Sequence, residues 1–159
     1  MIKPGRILEI GTFSGYSALC LAAGLKPGGE LHTIDNNPEM EDMALRFFKE
    51  AGLEQSILMH IGEALQIIPG IAGPFDIVFI DADKENYIRY FDLVISKVSA
   101  GGWIIADNAL WYGKVIDPEA LADSETAGIV AFNDYIQSHP AVENVLLPVR
   151  DGLLIMRKK

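Results

Sequence analysis

Apolar residues follow two rhythms along this chain of 159 residues. Short, nearly unbroken runs occur at 6–10 (RILEI), 30–35 (ELHTID), 56–61 (SILMHI), 75–80 (FDIVFI) and 102–106 (GWIIA). Their length and apolar character predict strands buried on both faces, as in a parallel sheet covered by helices. Between them the apolar positions recur every three or four residues. Residues 16–25 predict a helix ended by Pro27-Gly28-Gly29. Asn37 predicts an N-cap with Pro38 at the first helical position. Met40, Met43, Ala44, Phe47 and Ala51 follow at helical spacing, and Gly52 ends that helix. Tyr87, Ile88, Phe91, Val94, Ile95 and Val98 mark the buried face of another helix. After a longer loop at 108–123, a helix near 125–138 is expected, capped by Ser124. The runs 142–149 and 153–157 flank Asp151-Gly152, a hairpin turn pair. The alternation predicts an α/β fold: one domain over 1–159, a doubly wound, Rossmann-like sheet, mostly parallel and closed by a C-terminal antiparallel hairpin.

Composition narrows the partners. The net charge is −9, which argues against nucleic acid, since phosphate backbones need Lys/Arg surfaces. Half the residues are hydrophobic, yet no apolar run has the length of a membrane span. Ile2-Lys3-Pro4-Gly5 after Met1 is no secretion signal, so a cytoplasmic enzyme domain is expected. Cys20 cannot form an internal disulfide, being the single cysteine, and its apolar surroundings predict a buried helical thiol. Trp103 is expected in the core. His32, His60 and His139 are scattered, without the spacing of a zinc site.

Two strand ends carry acidic groups: Ile80-Asp81-Ala82-Asp83-Lys84 and Ile105-Ala106-Asp107-Asn108. Ligands of open parallel sheets bind at the carboxyl ends of the strands. If these strands are neighbours, Asp81, Asp107 and Asn108 bring three oxygen donors together, with Lys84 one turn beyond Asp81. Hard oxygen donors beside a lysine suggest Mg²⁺-assisted chemistry with an amine available as a base. Taken singly, the acids could cap a helix or turn, Asn108 could be a turn residue, and Lys84 could be solvated.

The first strand runs into Glu9-Ile10-Gly11-Thr12-Phe13-Ser14-Gly15-Tyr16-Ser17. Glycines at a strand-to-helix turn let a ligand approach the backbone. The spacing Gly-x-x-x-Gly departs from the Gly-x-Gly-x-x-Gly of dinucleotide sites, which disfavours an NAD-dependent oxidoreductase. Asp35, ending the second strand, is placed to accept from ribose hydroxyls; alone it could equally be a helix cap.

The order of Glu9 to Ser17, Asp35, Gly62-Glu63-Ala64, Asp81 to Lys84, Asp107 to Gly113 (DNALWYG) and Asp151-Gly152-Leu153 resembles the cation-dependent O-methyltransferases. This family includes the caffeoyl-CoA and catechol O-methyltransferases. The resemblance implies an S-adenosylmethionine-dependent, Mg²⁺- or Mn²⁺-assisted O-methyltransferase with the Rossmann-like methyltransferase sheet. Its acceptor would be a small catechol-like or vicinal-diol aromatic. It assigns Gly11, Phe13 and Ser17 to the methionine end of the cofactor, Asp35 to the ribose and Gly62, Glu63 and Ala64 to the adenine, with Glu9 and Gly15 as further cofactor-binding residues. The resemblance also places Asp83 and Asp81 near the cofactor. Asp81, Asp107 and Asn108 match the metal ligands and Lys84 the catalytic base. Trp111 and Tyr112 would wall the acceptor site, with simple loop packing as the alternative. Tyr112 stands where plant caffeoyl-CoA enzymes carry asparagine, which weakens any claim for a CoA ester.

Relatives of this family carry helices ahead of the first strand that cover the cofactor and shape the acceptor site, whereas here that strand begins at Arg6. A second reading follows: an S-adenosylmethionine-binding domain with little or no catalysis. Apolar surface left uncovered also leads to the expectation of a homo-oligomer, most simply a dimer.

Overall fold

The computed structural model describes residues 2–159. Strands β1 (Arg6–Ile10), β2 (Glu30–Asp35), β3 (Ile57–Ile61), β4 (Phe75–Ile80), β5 (Val98–Ala106), β6 (Val142–Leu147) and β7 (Leu153–Lys158) form one sheet. Its order is β3-β2-β1-β4-β5-β7-β6. The first five are mutually parallel, and β7 runs antiparallel to both β5 and β6. This is the doubly wound sheet with a C-terminal hairpin that the apolar pattern predicts.

The period-two alternation of the strands divides the core between the two faces. Ile7 of β1 joins Leu31 and Ile57 under helices α1 (Tyr16–Ala22) and α2 (Glu41–Glu50), through Ala18, Ala22, Ala44 and Phe48. Leu8 and Ile10 belong to the larger core on the other face. There Val78, Ile80 and Ile104 meet α3 (Ala64–Ile67), α4 (Tyr87–Ile95) and α5 (Ser124–Gln137). The central β1 pairs with β2 on one side and β4 on the other. The chain therefore winds outward from β1 to β3, then returns to start β4 and winds the opposite way. A crevice at the carboxyl ends of β1 and β4 is the consequence.

Several boundaries differ from the sequence expectation. β5 begins at Val98, not Gly102, and takes up an irregularity between Phe75 and Ile77 of β4. Gly102 lies well inside the strand, where a Cβ would stand 2.8 Å from Val98 Cγ1. Val98 is buried, but as a strand residue. Trp103 is half-buried rather than core. Cys20 is exposed: Ala18 and Ala22, four apart, face the sheet, and Cys20 midway between them points away. Phe48, not Phe47, fills the core under α2. Asn37 caps a short 3₁₀ turn, Pro38–Met40, by accepting from Glu39 N at 3.0 Å, and α2 continues from it. The cap of α5 is Asp123, whose carboxylate accepts from Thr126 N (3.1 Å) and Thr126 Oγ1 (2.6 Å). Ser124 is the first helical residue.

Candidate active site

Backbone pairing continues one residue past the strands. Asp81 N donates to Ile10 O (2.9 Å), Asp107 N to Ile80 O (3.0 Å), Gly11 N to Ile34 O (2.9 Å) and Gly62 N to Asp35 O (2.8 Å). Gly11, Asp81, Asp107 and Gly62 are thereby held in register along one edge of the sheet. Three cavities open along it. The first, about 200 Å³, is lined by Gly11, Phe13, Asp35, Gly62, Glu63, Ala64, Asp81 and Asp83. The second, about 570 Å³, has Ser17, Tyr16, Phe13, Asp81 and Asp107 on its wall. The third, about 740 Å³, is walled by Asp107, Asn108, Tyr112, Arg150 and Asp151. Asp81 is shared by the first two and Asp107 by the last two, so the cavities form one run pivoting on these two carboxylates.

Asp35 is fixed by its own neighbourhood. One carboxylate oxygen accepts from Phe13 N (2.6 Å) and the other from Asn37 N (2.9 Å). It therefore pins the Gly11–Gly15 turn to the end of β2. Phe13 takes φ 46° in that turn and its ring is 71% exposed. Asp83 accepts from Tyr90 and Asn86 side chains. Tyr90 lines the first cavity; burial and its bond to Asp83 raise its phenol above the usual range. The sequence reading missed this residue, although its position seven beyond Asp83 puts it two helical turns away on the same side.

Glu9 and Gly15 line none of these cavities. Gly15 opens α1 at φ 83°, and a Cβ there would lie 2.7 Å from the Phe48 ring. Its role in the fold is close packing of α1 on α2. Glu9 is fully buried beneath the turn. Its Oε2 accepts from Thr33 Oγ1 (2.6 Å), which sits 2.5 Å from Thr12 Oγ1. Burial pushes its carboxyl up to about 7; the Ser17 and Thr33 hydroxyls oppose that rise, and the charges of Asp81 and Asp35 add to it. The Ser17 hydroxyl is near, yet Oε1 closes no hydrogen bond.

Asp81, Asp107 and Asn108 do come together, because β4 and β5 are neighbours in register, Ile80 opposite Ala106. Asp107 is raised above the usual carboxylate range chiefly by burial; the Asn108 N–H opposes this and the Asp81 charge adds to it. Lys84 is 5% exposed and donates to Asp81 Oδ1 (3.1 Å) and to Tyr87 Oη (2.8 Å). Tyr87, read from the sequence only as core, is the second support of this amine. Its hydroxyl lies 3.3 Å from the Ile80 and Asp107 carbonyls. Burial, then the Asp81 and Asp107 charges, raise its phenol well above its ordinary value, so it stays a donor. The Trp111 ring centroid is 5.5 Å from Lys84 Nζ. Trp111 packs against the core and lines none of the three cavities, whereas Tyr112, 79% exposed, walls the third.

The donor set suits a hard divalent cation: two crowded carboxylates and an amide, all oxygen. Burial and, to a lesser degree, the Asp81 charge disfavour the ionised Asp107 carboxylate, and a bound cation would offset both. Among the described residues no three His, Cys, Asp or Glu side chains gather as a metal site; the third donor expected from the sequence is the Asn108 amide. Of the histidines, His32 and His60 are not scattered. Their ring nitrogens lie 3.0 Å apart on adjacent strands, and His32 also meets Arg6 (3.1 Å) and Glu30 (3.3 Å).

A family model described as O-methyltransferase matches residues 1–159. Among curated proteins, the chain is 33% identical over 164 residues to a flavonoid 3',5'-methyltransferase of Vitis vinifera, covering 96% of this chain and 70% of that protein. It is 34% identical over 172 residues to a caffeoyl-CoA O-methyltransferase of Populus trichocarpa, covering 99% and 68%. Among solved structures, an O-methyltransferase from Bacillus cereus in complex with SAH superposes with a TM-score of 0.93 at 33% identity, covering 98% of this chain and 74% of that one. The O-methyltransferase TomG from Streptomyces achromogenes, in complex with SAM, gives 0.93 at 31%, covering 99% and 74%. The chain belongs to the O-methyltransferase family.

Proposed function

We propose that this member of the O-methyltransferase family is an S-adenosylmethionine-dependent, Mg²⁺-assisted enzyme that methylates a small aromatic acceptor bearing vicinal hydroxyls. The observation that carries the reading is the placing of Asp81, Asp107, Asn108 and Lys84 at the ends of neighbouring strands, along the run of cavities from the Gly11–Asp35 cleft through the 570 Å³ cavity to the 740 Å³ one. Relatives solved with SAM or SAH share the same sheet. In this reading Asp35 receives ribose hydroxyls, residues 62–64 face the adenine, and Phe13 and Ser17 flank the methionine end.

The cofactor would supply an electrophilic methyl on a sulfonium. A divalent ion held by Asp81, Asp107 and Asn108 would favour the ionised form of an acceptor hydroxyl whose ordinary pKa is near 10, by Lewis acidity. Lys84 takes the hydroxyl proton. Its hydrogen bonds to Asp81 and Tyr87 fix the amine and leave one Nζ position for the acceptor. Tyr87 holds the amine in place without competing for the proton. Held by Gly11, Phe13, Ser17 and Asp35, the cofactor would supply its methyl to the acceptor oxygen, the electron pair of the broken sulfur–carbon bond staying on sulfur. The residues' main contribution is alignment of these atoms. Tyr112 walls the cavity in which the acceptor ring would lie.

Calorimetric titration with S-adenosylmethionine, with and without Mg²⁺, followed by a catechol turnover assay, tests the reading. Cofactor binding plus Mg²⁺-dependent methylation is expected. Binding without turnover would leave the chain a cofactor-binding domain, and binding of NAD in its place would overturn the assignment.

A further inference from the structure

We infer that Asp151, in the turn between β6 and β7, is a positioning residue that orients Asn108 toward the proposed cation site. The inference rests on the cation reading above. Asn108 Nδ2 donates to Asp151 Oδ2 at 3.2 Å. A carboxylate only accepts, so it holds the NH₂ end of the amide and leaves Oδ1 as the end free to ligate. Without that partner the amide could turn either way, and half of its orientations would present a donor to a cation. The backbone of Asn108 is held separately. It sits at φ 60°, in the left-handed region that asparagine tolerates better than most residues, and its N–H donates to Asp107 Oδ1 at 2.7 Å.

The hairpin is anchored firmly enough for this role. Ala109 N donates to Gly152 O (3.0 Å) and Leu110 N to Asp151 O (2.9 Å). A Cβ on Gly152 would lie 2.6 Å from Leu110 Cγ and 2.9 Å from Leu110 N, so the two segments are packed too closely for a side chain. The other Asp151 oxygen accepts from Tyr112 N at 2.5 Å. It thus holds the turn in which Trp111, Tyr112 and Gly113 all have positive φ. Among the described residues the Asp151 carboxylate forms no salt bridge. Its two oxygens serve the ligand amide and the cavity-wall residue Tyr112. Residues that orient metal ligands in this way typically change metal affinity 10–100-fold when removed.

Mn²⁺ binding by the cofactor-free protein, read by electron paramagnetic resonance, tests the assignment without reference to activity. Asp151→Ala should weaken Mn²⁺ about 10–100-fold and leave S-adenosylmethionine affinity unchanged by calorimetry. Asp151→Asn keeps the volume but puts a donor against one of the two N–H groups, and should also weaken Mn²⁺; it decides the matter should Asp151→Ala not fold. Because Asp151 acts through Asn108, Asp151→Ala should cost nothing further in an Asn108→Ala background. Unchanged Mn²⁺ affinity in both Asp151 variants, or an equal loss with and without Asn108, would overturn the positioning role alone. Absence of Mn²⁺ binding by the unaltered protein would remove the cation reading and the inference with it.

Discussion

A β-carbon on Gly11 would stand 1.9 Å from the backbone carbonyl oxygen of Asp81. The ends of β1 and β4 thus approach until only a glycine fits, and φ 102° at Gly11 is a conformation that L side chains rarely adopt. Gly11→Ala must part the two strand ends and shift Asp81, which with Gly11 and Phe13 lines both of the first two cavities. A loss of several kcal/mol in stability is expected from combined overlap and strain, together with loss of S-adenosylmethionine binding. Thermal melting and calorimetry read the two effects. A variant as stable as the parent would show that the strand ends can move apart freely.

Asp35 holds Phe13 N and Asn37 N while its cavity face is proposed to meet ribose hydroxyls. Asp35→Ala should weaken S-adenosylmethionine binding by about 1–3 kcal/mol, the range for hydrogen bonds to a charged group. Unchanged affinity in calorimetry would dispose of the ribose role.

The fold was legible because fully buried parallel strands leave a strong sequence signal, and the turn residues punctuate it. The Gly11–Gly15 turn, Asp35 and the Asp81/Asp107 pair could be located because chain position at a strand end fixes their place in space. What stayed hidden depends on contacts between elements. Tyr87 read as core and Tyr90 went unremarked because helical spacing reports burial, not the hydrogen bonds their hydroxyls make with Lys84 and Asp83. Asp151 read as a turn residue, since nothing in a hairpin pair reveals which distant backbone it will meet. His32 and His60 join only through the β2–β3 register. The exposure of Cys20 was available from helical geometry, because it lies halfway between Ala18 and Ala22, but the apolar stretch around it masked that phase.

Removal of divalent cations should abolish methyl transfer, and Mg²⁺ or Mn²⁺ should restore it, because the proposed ligands are all oxygen. Asp107→Ala should remove turnover while sparing the fold, since deleting a half-buried carboxylate beside Asp81 relieves repulsion. Product formation followed by chromatography in EDTA is the measurement. Full activity in EDTA would exclude cation assistance.

Lys84→Met keeps the length and apolar stem of the side chain but deletes the amine bonded to Asp81 and Tyr87. A fall in kcat of about 10²–10⁴-fold is expected for loss of a general base, with cofactor affinity retained. Single-turnover kinetics under saturating acceptor separate the chemical step from release. A variant with normal kcat would take the proton-accepting role away from Lys84.

Glu9 gives the apo protein a pH dependence of defined sign. Its carboxyl is at about 7 in the folded state against 4.5 ordinarily, with burial the main cause. Between these values the unfolded chain has released the proton and the folded chain still holds it. The stabilising contribution is therefore complete below pH 4.5 and lost as pH rises through about 7. The shift corresponds to something on the order of 3 kcal/mol. Glu9→Gln is neutral at every pH, keeps an acceptor for Thr33 Oγ1 and offers Ser17 a donor where Oε1 now closes no bond. Other titrating groups, such as Glu30 and Asp107, act in both proteins, so the difference between the two stability curves isolates Glu9. That difference should grow in favour of Glu9→Gln from pH 4.5 to 8 in denaturant titrations and level off above. Parallel curves across this window would mean that the buried carboxyl finds a charge partner, and that the cofactor-free turn is less dry than the packing of Glu9, Thr12 and Thr33 implies.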